Sequence, residues 1–168
     1  MLSLTSLASP VGELTIAASR HGVRYLLWPE EARSLAHQTG DDQAATREAI
    51  VRQTIMQMHE YFDGVRTEFD LPLDPQGTPF QLSAWMLLRS IPYGQTVSYA
   101  FQARSLGDVN KSRAVGAANG KNPISIIVPC HRVVGSDGSL TGFGGGVQAK
   151  AWLLDHERRV VAGATTLF

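Results

Sequence analysis

A single cysteine, Cys130, stands among the 168 residues, so neither an internal disulfide nor a cysteine-based zinc site can form. A lone thiol suits a reducing interior. No apolar run approaches the roughly 20 residues of a membrane helix, and no basic-then-apolar stretch stands at the start. A cytoplasmic setting, or nuclear in a eukaryotic source, is therefore expected, with no membrane partner. Net charge is missing too: 15 Lys+Arg balance 15 Asp+Glu, which taken alone argues against a nucleic-acid partner. The chain has no internal repeat. Its one glycine-rich stretch, Thr141–Gly146, lacks the following Lys-Ser/Thr of a phosphate-binding loop, and no metal or other cofactor is expected.

What is present describes a folded protein. Hydrophobic residues make up 43% and charged residues 18%, which suits one domain or two small ones. The zero charge conceals an asymmetry. Met1–Pro79 holds 6 Lys+Arg against 11 Asp+Glu, a net of −5, and Phe80–Phe168 holds 9 against 4, a net of +5. A phosphate-binding surface needs locally clustered cations, and the second half can supply them.

The first part reads as strands: Leu2–Ala8 alternates apolar and polar, Pro10-Val11-Gly12 is a turn, and Glu13–Ala18 and Val23–Trp28 carry further apolar residues. A helix follows from about Asp42 to Phe62, then a short strand at Thr67–Leu71. Leu71–Gly77, with two prolines and a glycine, reads as a linker. The expected domains are thus 1–77 and 78–168. In the second, Thr78-Pro79 opens a helix to about Ile91, and Ser98 caps a short helix to Leu106. After a turn at Gly107-Asp108-Val109, Asn110 caps another helix, Lys111 to about Asn119. Two short helices across a glycine-containing turn form a helix-turn-helix candidate. The second carries Ala114, Gly116, Ala117 and Ala118, and Arg113 is its one long projecting side chain on that stretch. Tight helix packing would explain the small residues, and so would close approach to a nucleic-acid groove. Ile124–Val128 reads as a buried strand, and Gln148–Arg158 as a final helix.

The chemistry gathers at Pro129-Cys130-His131-Arg132. Proline ends the strand and leaves the thiol at its carboxyl end. Adjacent cations favour the thiolate, the reactive form. Neighbours in an extended segment point to opposite faces, so a bridging water or a sharp bend is needed to join Cys130 to His131. An imidazole base also needs an acid to orient it. Glu157 is the candidate, with Asp155 and Asp137 as alternatives.

Ile126–Val133 (IIVPCHRV), preceded by Asn119-Gly120-Lys121-Asn122-Pro123, resembles the signature of the O6-alkylguanine-DNA alkyltransferase family, the methylated-DNA–protein-cysteine methyltransferases. The likeness extends through Thr78–Gln81, Ile91–Thr96, Ser98-Tyr99, Arg113–Gly116, and Trp152–Leu154 with His156-Glu157. It implies an amino-terminal α/β support domain of ribonuclease H-like type and a mostly helical, winged-helix-like carboxyl-terminal domain. It implies DNA repair by direct, stoichiometric and irreversible transfer of the alkyl group from O6 of guanine to Cys130, with O4-alkylthymine a further candidate substrate. His131 would take the thiol proton through a water and Glu157 would orient it. Tyr99 would help rotate the nucleotide out and donate to N3 of the base, and Asn122 would brace the turn. Lys150 would favour the charged thiolate. Arg113 would fill the gap in the stack, with Ala114, Ser112 and Lys111 beside it on the DNA. The Cys130 and Val133 carbonyls would accept from the exocyclic amine, and Gly144, with Gly145, would offer the backbone N–H to O6. The implied partner is double-stranded DNA, entered through a minor groove only about 6 Å wide, with the alkylated guanine flipped out. The protein is expected to be a monomer in solution, with cooperative loading on DNA left open.

Three departures stand out. Gly144 has no hydroxyl, Tyr99-Ala100-Phe101-Gln102-Ala103 replaces the usual Tyr-Gly-Glu-Leu-Ala, and Lys111-Ser112 adds a cation before Arg113. A non-catalytic reader of alkylated bases is the alternative, but such relatives carry tryptophan in place of Cys130. A Cys-His hydrolase leaves Arg113 and the paired helices without a role, and a transcription factor leaves Pro129–Arg132 and Glu157 unexplained.

Overall fold

A computed structural model describes residues 1–33 and 44–166. The chain divides into two compact units: Met1–Gln76 with Pro123–Ile127, and Gly77–Asn122 with Val128–Phe168.

The first unit is an antiparallel meander backed by a helix. Strands β1 (Ser3–Ser9), β2 (Gly12–Ser19) and β3 (Gly22–Leu27) pair in sequence order, with a register shift at Ala17/Ala18. Helix α1 is the short Pro29–Ala32. Helix α2, Ala44–Phe62, lies against the sheet and buries Ile50, Thr54, Gln57, Met58 and Tyr61, a helical spacing that forms one stripe. Asp42 of the expected helix lies outside the described residues.

Two expected strands are not strands. At Thr67–Leu71 the backbone of Asp70 is taken by a side chain: its N–H donates to Gln57 Oε1 and its carbonyl accepts from Gln57 Nε2, both at 2.9 Å. The chain only afterwards touches the sheet, in a bridge of Leu73 to Val23. Gly22 is required there, since a Cβ would meet the Pro72 carbonyl carbon at 2.6 Å.

Ile124–Val128 is buried as expected but turned. Ile124 bridges Leu26, and Trp28 Nε1 donates to Ser125 Oγ at 3.2 Å, which binds this segment into the first unit. Ile126 then adopts φ +73° with Ile127 N–H donating to the Ser125 carbonyl at 2.8 Å, a γ-turn in the handedness rare for a β-branched residue. Apolar content signals burial, and a run this short does not distinguish a strand from a buried turn.

The second unit is mostly helical. Helix α3 (Pro79–Leu88) starts in a capping box in which Thr78 Oγ1 accepts from Gln81 N–H and Gln81 Oε1 accepts from Thr78 N–H. Strand β4 (Val97–Ser98) runs into helix α4 (Tyr99–Ser105), with Ser98 as its cap. A 3-10 turn, Val109–Lys111, leads to helix α5 (Ser112–Gly120). Asp108 caps that turn, accepting from Asn110 N–H at 2.9 Å, so Asn110 is not the capping residue. Trp85 Nε1 ties α3 to α5 by donating to the Ala118 carbonyl at 2.8 Å. Strand β5 (Val133–Val134) pairs in parallel with β4, and helix α6 spans Val147–Thr166. Because β4 leads directly into Tyr99 and β5 follows Cys130, this two-residue ladder brings the start of α4 beside the cysteine turn.

Candidate active site

Pro129 has φ −83° and ψ 67°, an inverse γ-turn closed by Cys130 N–H donating to the Val128 carbonyl at 2.8 Å. Asn122 Nδ2 donates to that same carbonyl at 2.8 Å and is itself buried. Cys130–Arg132 then wind as a 3-10 turn, with Val133 N–H donating to the Cys130 carbonyl, which keeps a second lone pair. The segment is therefore bent, not extended, and the opposite-face geometry expected for Cys130 and His131 does not apply.

His131 and Glu157 are both fully buried and meet at 2.6 Å, Nε2 to Oε2. Arg132 adds two donors to the same carboxylate, Nε to Oε1 at 2.8 Å and Nη2 to Oε2 at 3.1 Å, and sends Nη1 to the Ile91 carbonyl. Gly94 N–H also donates to Oε1, at 3.1 Å. Glycine is needed at that turn, because φ is +78° and a Cβ would lie 2.8 Å from Val161. Burial by itself would raise the Glu157 carboxyl, but the hydrogen bonds of His131 and Arg132, with the Arg132 charge, outweigh it and hold the carboxyl well below its usual range. Burial pushes His131 down, aided by the Arg132 and Lys150 charges, against the pull of Glu157. The imidazole is thus neutral beside an ionised carboxylate. Its proton sits on Nε2, facing Glu157, and the basic lone pair falls on Nδ1, which is buried and has no protein partner among the described residues.

The alternatives to Glu157 are engaged at the surface. Asp155 pairs with Arg159 at 2.8 Å, and Asp137 accepts from Ser139 N–H at 3.0 Å. Arg132 needs a correction: sequence placed its cation near the thiol, whereas its guanidinium is committed to Glu157 and lies over the Tyr93 ring. Burial and the Glu157 charge in turn push the Tyr93 hydroxyl up to about 12.

The cation near the thiol is Lys150, only 1% exposed. Burial pushes its pKa down, and Cys130 opposes that shift. Lys150 Nζ donates to the Thr141 carbonyl at 3.2 Å and to the Tyr99 hydroxyl at 3.4 Å, and Tyr99 donates to the same carbonyl at 3.1 Å. Burial raises the Tyr99 hydroxyl, and the Cys130 charge adds to it. Thr141 and Gly94 act here through backbone atoms, which residue type does not disclose. Val133 is buried in β5, while Gly144 and Gly145 form a turn closed by Gly146 N–H and the Phe143 carbonyl at 2.9 Å, with Gly144 exposed.

On α5, Arg113, Ala114 and Ala117 are exposed, as is Lys111 just before the helix, with Nζ 5.7 Å from the Phe80 ring. Ser112 is half-buried, its Oγ donating to the Val109 carbonyl. A Cβ on Gly116 would sit at an ordinary 4.0 Å from the Tyr99 ring. An alanine at this position would therefore fit against that ring.

Fold and site together define a two-unit α/β protein with a buried cysteine in a tight turn, an imidazole of that turn paired with a carboxylate of α6, and an adjoining helix pair with exposed cations. Two family models match it: the ribonuclease-like domain of 6-O-methylguanine DNA methyltransferase over residues 2–75, and the DNA binding domain of the same protein over 79–159. The chain belongs to this family. The methylated-DNA–protein-cysteine methyltransferase of Mycobacterium tuberculosis H37Rv is 42% identical over 170 residues, covering 100% of this chain and 99% of the relative. That of Methanosarcina acetivorans is 40% identical over 149 residues, covering 89% and 94%. The crystal structure of the Mycobacterium tuberculosis O6-methylguanine methyltransferase matches with TM-score 0.83 at 39% identity, covering 100% of this chain and 99% of that one. That of Mycobacterium tuberculosis OGT in complex with DNA matches with TM-score 0.82 at 43% identity, covering 92% of each.

Proposed function

We propose that this member of the family repairs DNA by taking the alkyl group of O6-alkylguanine onto Cys130 in a single turnover. The observation that carries the chemistry is the buried 2.6 Å contact of His131, in the turn that presents the thiol, with Glu157 of α6. It fixes the tautomer whose free basic nitrogen is Nδ1. That nitrogen takes the thiol proton through a water, and the imidazolium formed is stabilised by Glu157. The Lys150 charge further favours the thiolate.

The thiolate sulfur attacks the alkyl carbon. A carbon–sulfur bond forms, the carbon–O6 bond breaks, its electron pair stays on guanine, and the base takes up a proton. The product is a thioether, from which no base on the protein can displace the alkyl group, so each molecule reacts once. Asn122 holds the turn, and the remaining carbonyl capacity of Cys130, with Val133, accepts from the exocyclic amine. The exposed Gly144 N–H, beside Gly145, is free to meet O6. Tyr99 gives up the Thr141 carbonyl to donate to N3.

DNA is the partner. The α5 surface, with Arg113, Ala114, Ser112 and Lys111, enters the minor groove and Arg113 occupies the place of the extruded base, since extrusion costs a few kcal/mol that a substitute in the stack offsets. On this reading the protein is a monomer in solution, in the cytoplasm, with cooperative loading on DNA left open. No described helix is long and apolar enough to cross a membrane.

Intact mass spectrometry after incubation with duplex O6-methylguanine DNA tests this reading. One methyl per molecule, mapped to the Cys130 peptide, is expected. Cys130→Ser should take none while still binding DNA, because phosphate contacts lie elsewhere. Label on another peptide would overturn the assignment.

A further inference from the structure

Helices α4 and α5 meet through a polar contact that the chemistry above does not use. Gln102, wholly buried, and Asn119, 6% exposed, exchange both amide bonds: Gln102 Nε2 donates to Asn119 Oδ1 at 3.0 Å, and Asn119 Nδ2 donates to Gln102 Oε1 at 2.8 Å. The remaining Gln102 N–H faces the Ala84 carbonyl of α3 at 3.4 Å. The surroundings are apolar, with Ala84, Trp85, Ala103, Val115 and Ala118 all buried in the same unit. Two aliphatic side chains would fill this space without the desolvation that buried amides suffer.

The pair supplies what aliphatic side chains cannot. Helix α5 buries only Val115, Ala118 and Asn119, so it has almost no bulk to interlock with α4 and fix its register. A reciprocal amide pair is directional: a shift along either axis, or a rotation, breaks both bonds at once. A single buried polar residue sets register in helix pairs for this reason. What that register sets is specific. Tyr99 lies one turn before Gln102, on the same face of α4. Gly116, one turn before Asn119, backs onto the Tyr99 ring. One turn beyond Asn119 is Asn122, which holds the Val128 carbonyl of the nucleophile turn.

Resting on the proposed function, we propose that Gln102 and Asn119 are positioning residues for base extrusion: their amide pair holds α5, with Arg113, in register with α4, whose Tyr99 is kept at the pocket independently by Lys150. Neither touches the base. Transfer from duplex DNA needs that register, whereas reaction with free O6-benzylguanine needs only the pocket.

The deciding variant is Gln102→Leu/Asn119→Leu, which removes both amides together and leaves no orphaned polar group, so that folding is retained. Single-turnover rates are measured at saturating protein, on duplex O6-methylguanine DNA and on the free base, together with Tm. The expected result is a roughly tenfold loss on duplex, an unchanged free-base rate and a Tm at or above that of the parent. The swap Gln102→Asn/Asn119→Gln, which can restore a reciprocal pair, should recover duplex rate. Parental duplex rate in the double-leucine variant would overturn the proposal, and so would equal losses on both substrates tracking a fall in Tm. Absence of transfer by the parent protein on either substrate would instead sink the functional reading, and the proposal with it.

Discussion

The cysteine turn and the outer face of α5 belong to one unit and are built on opposite principles. Around Cys130 the charged side chains are buried and engaged, and His131 Nδ1 is the position left open for the thiol proton: Glu157 accepts from His131, Arg132 and Gly94, and Lys150, 1% exposed, donates to the Thr141 carbonyl. On α5 the side chains are small and exposed, and Arg113 has no hydrogen bond or ion pair among the described residues. The difference follows from what each must meet. A thiolate is generated best where dipoles and charges are already fixed in a poorly hydrated site. A phosphate backbone and a stack of bases must be met by cations that have not been spent inside the protein. Variants of the turn should therefore harm duplex and free base alike, and variants of the helix face should harm the duplex alone.

The largest effect is expected for Glu157→Gln. It orphans the Arg132 charge, a loss of about 3–5 kcal/mol by analogy with broken buried pairs. It also removes the group that fixes the His131 tautomer, which should slow transfer roughly a hundredfold on both substrates and move Cys130 alkylation by iodoacetamide to higher pH. The stability loss carries its own pH signature. The folded carboxyl titrates below its ordinary 4.5 and the folded imidazole below its ordinary 6.5, so the unfolded chain holds more protons than the folded one beneath each value. Parent stability should fall as pH drops below 6.5, and fall again below 4.5, at up to about 1.4 kcal/mol per pH unit per proton. Glu157→Gln lacks the second fall, so denaturant titrations should show the gap between the proteins closing below pH 4.5. A constant gap there would mean that the fold does not hold the carboxyl below its ordinary range.

Arg113→Ala comes next and tests the other half of the contrast. A roughly tenfold slower transfer from duplex at saturating protein, with the free-base rate unchanged, is expected if the side chain replaces the lost stack. Arg113→Leu should recover part of it, since an apolar wedge can occupy a base step. Rescue of Arg113→Ala by saturation, with a salt slope lower by about one, would reduce Arg113 to a phosphate contact.

Lys150→Met should be milder. It removes one charge near the thiol and leaves the His131–Glu157 pair intact, so the pH profile of Cys130 alkylation should shift upward by about one unit or less. Loss of its bond to the Thr141 carbonyl should also free the loop before Gly144. An unchanged profile would assign thiolate stabilisation to the turn alone.

The sequence disclosed the parts of this contrast whose signals are local. Thr78-Pro79, Ser98 and the glycine-containing turn marked the helix starts because capping is read within three residues. Glu157 stood first among three acids for His131 because an imidazole base needs an acid to orient it, and the structure joins these two at 2.6 Å while Asp155 and Asp137 lie at the surface. What stayed hidden is non-local or lies in backbone atoms. Arg132 was read as a partner of the thiol because proximity in the chain was the only guide, and its 2.8 Å bond to Glu157 spans 25 residues. Gly94 N–H and the Thr141 carbonyl have no residue-type signature. The strand reading of 124–128 failed at Ile126, whose positive φ is the conformation β-branched residues avoid, and that of 67–71 failed because Gln57 took the backbone bonds.

Thr78→Ala is expected to have the smallest effect and bounds the contrast from outside both regions. The threonine hydroxyl accepts from Gln81 N–H at 3.1 Å, and Gln81 Oε1 accepts from Thr78 N–H at 2.9 Å. Alanine removes the first bond and leaves the second, together with Pro79 at the first helical position, so α3 should still start where it does. The cost should be about 1 kcal/mol, a modest part of the 5–15 kcal/mol typical of folded domains. At that cost nearly all molecules remain folded, and neither transfer rate should change. Helix α3 nevertheless reaches α5 through Trp85 and the Ala118 carbonyl. A loss on duplex alone in Thr78→Ala, with Tm reduced only slightly, would show that the start of α3 governs the posture of the helix pair. The boundary between scaffold and DNA-facing surface would then lie inside α3, and the simple division into a buried turn and an exposed helix face would fail.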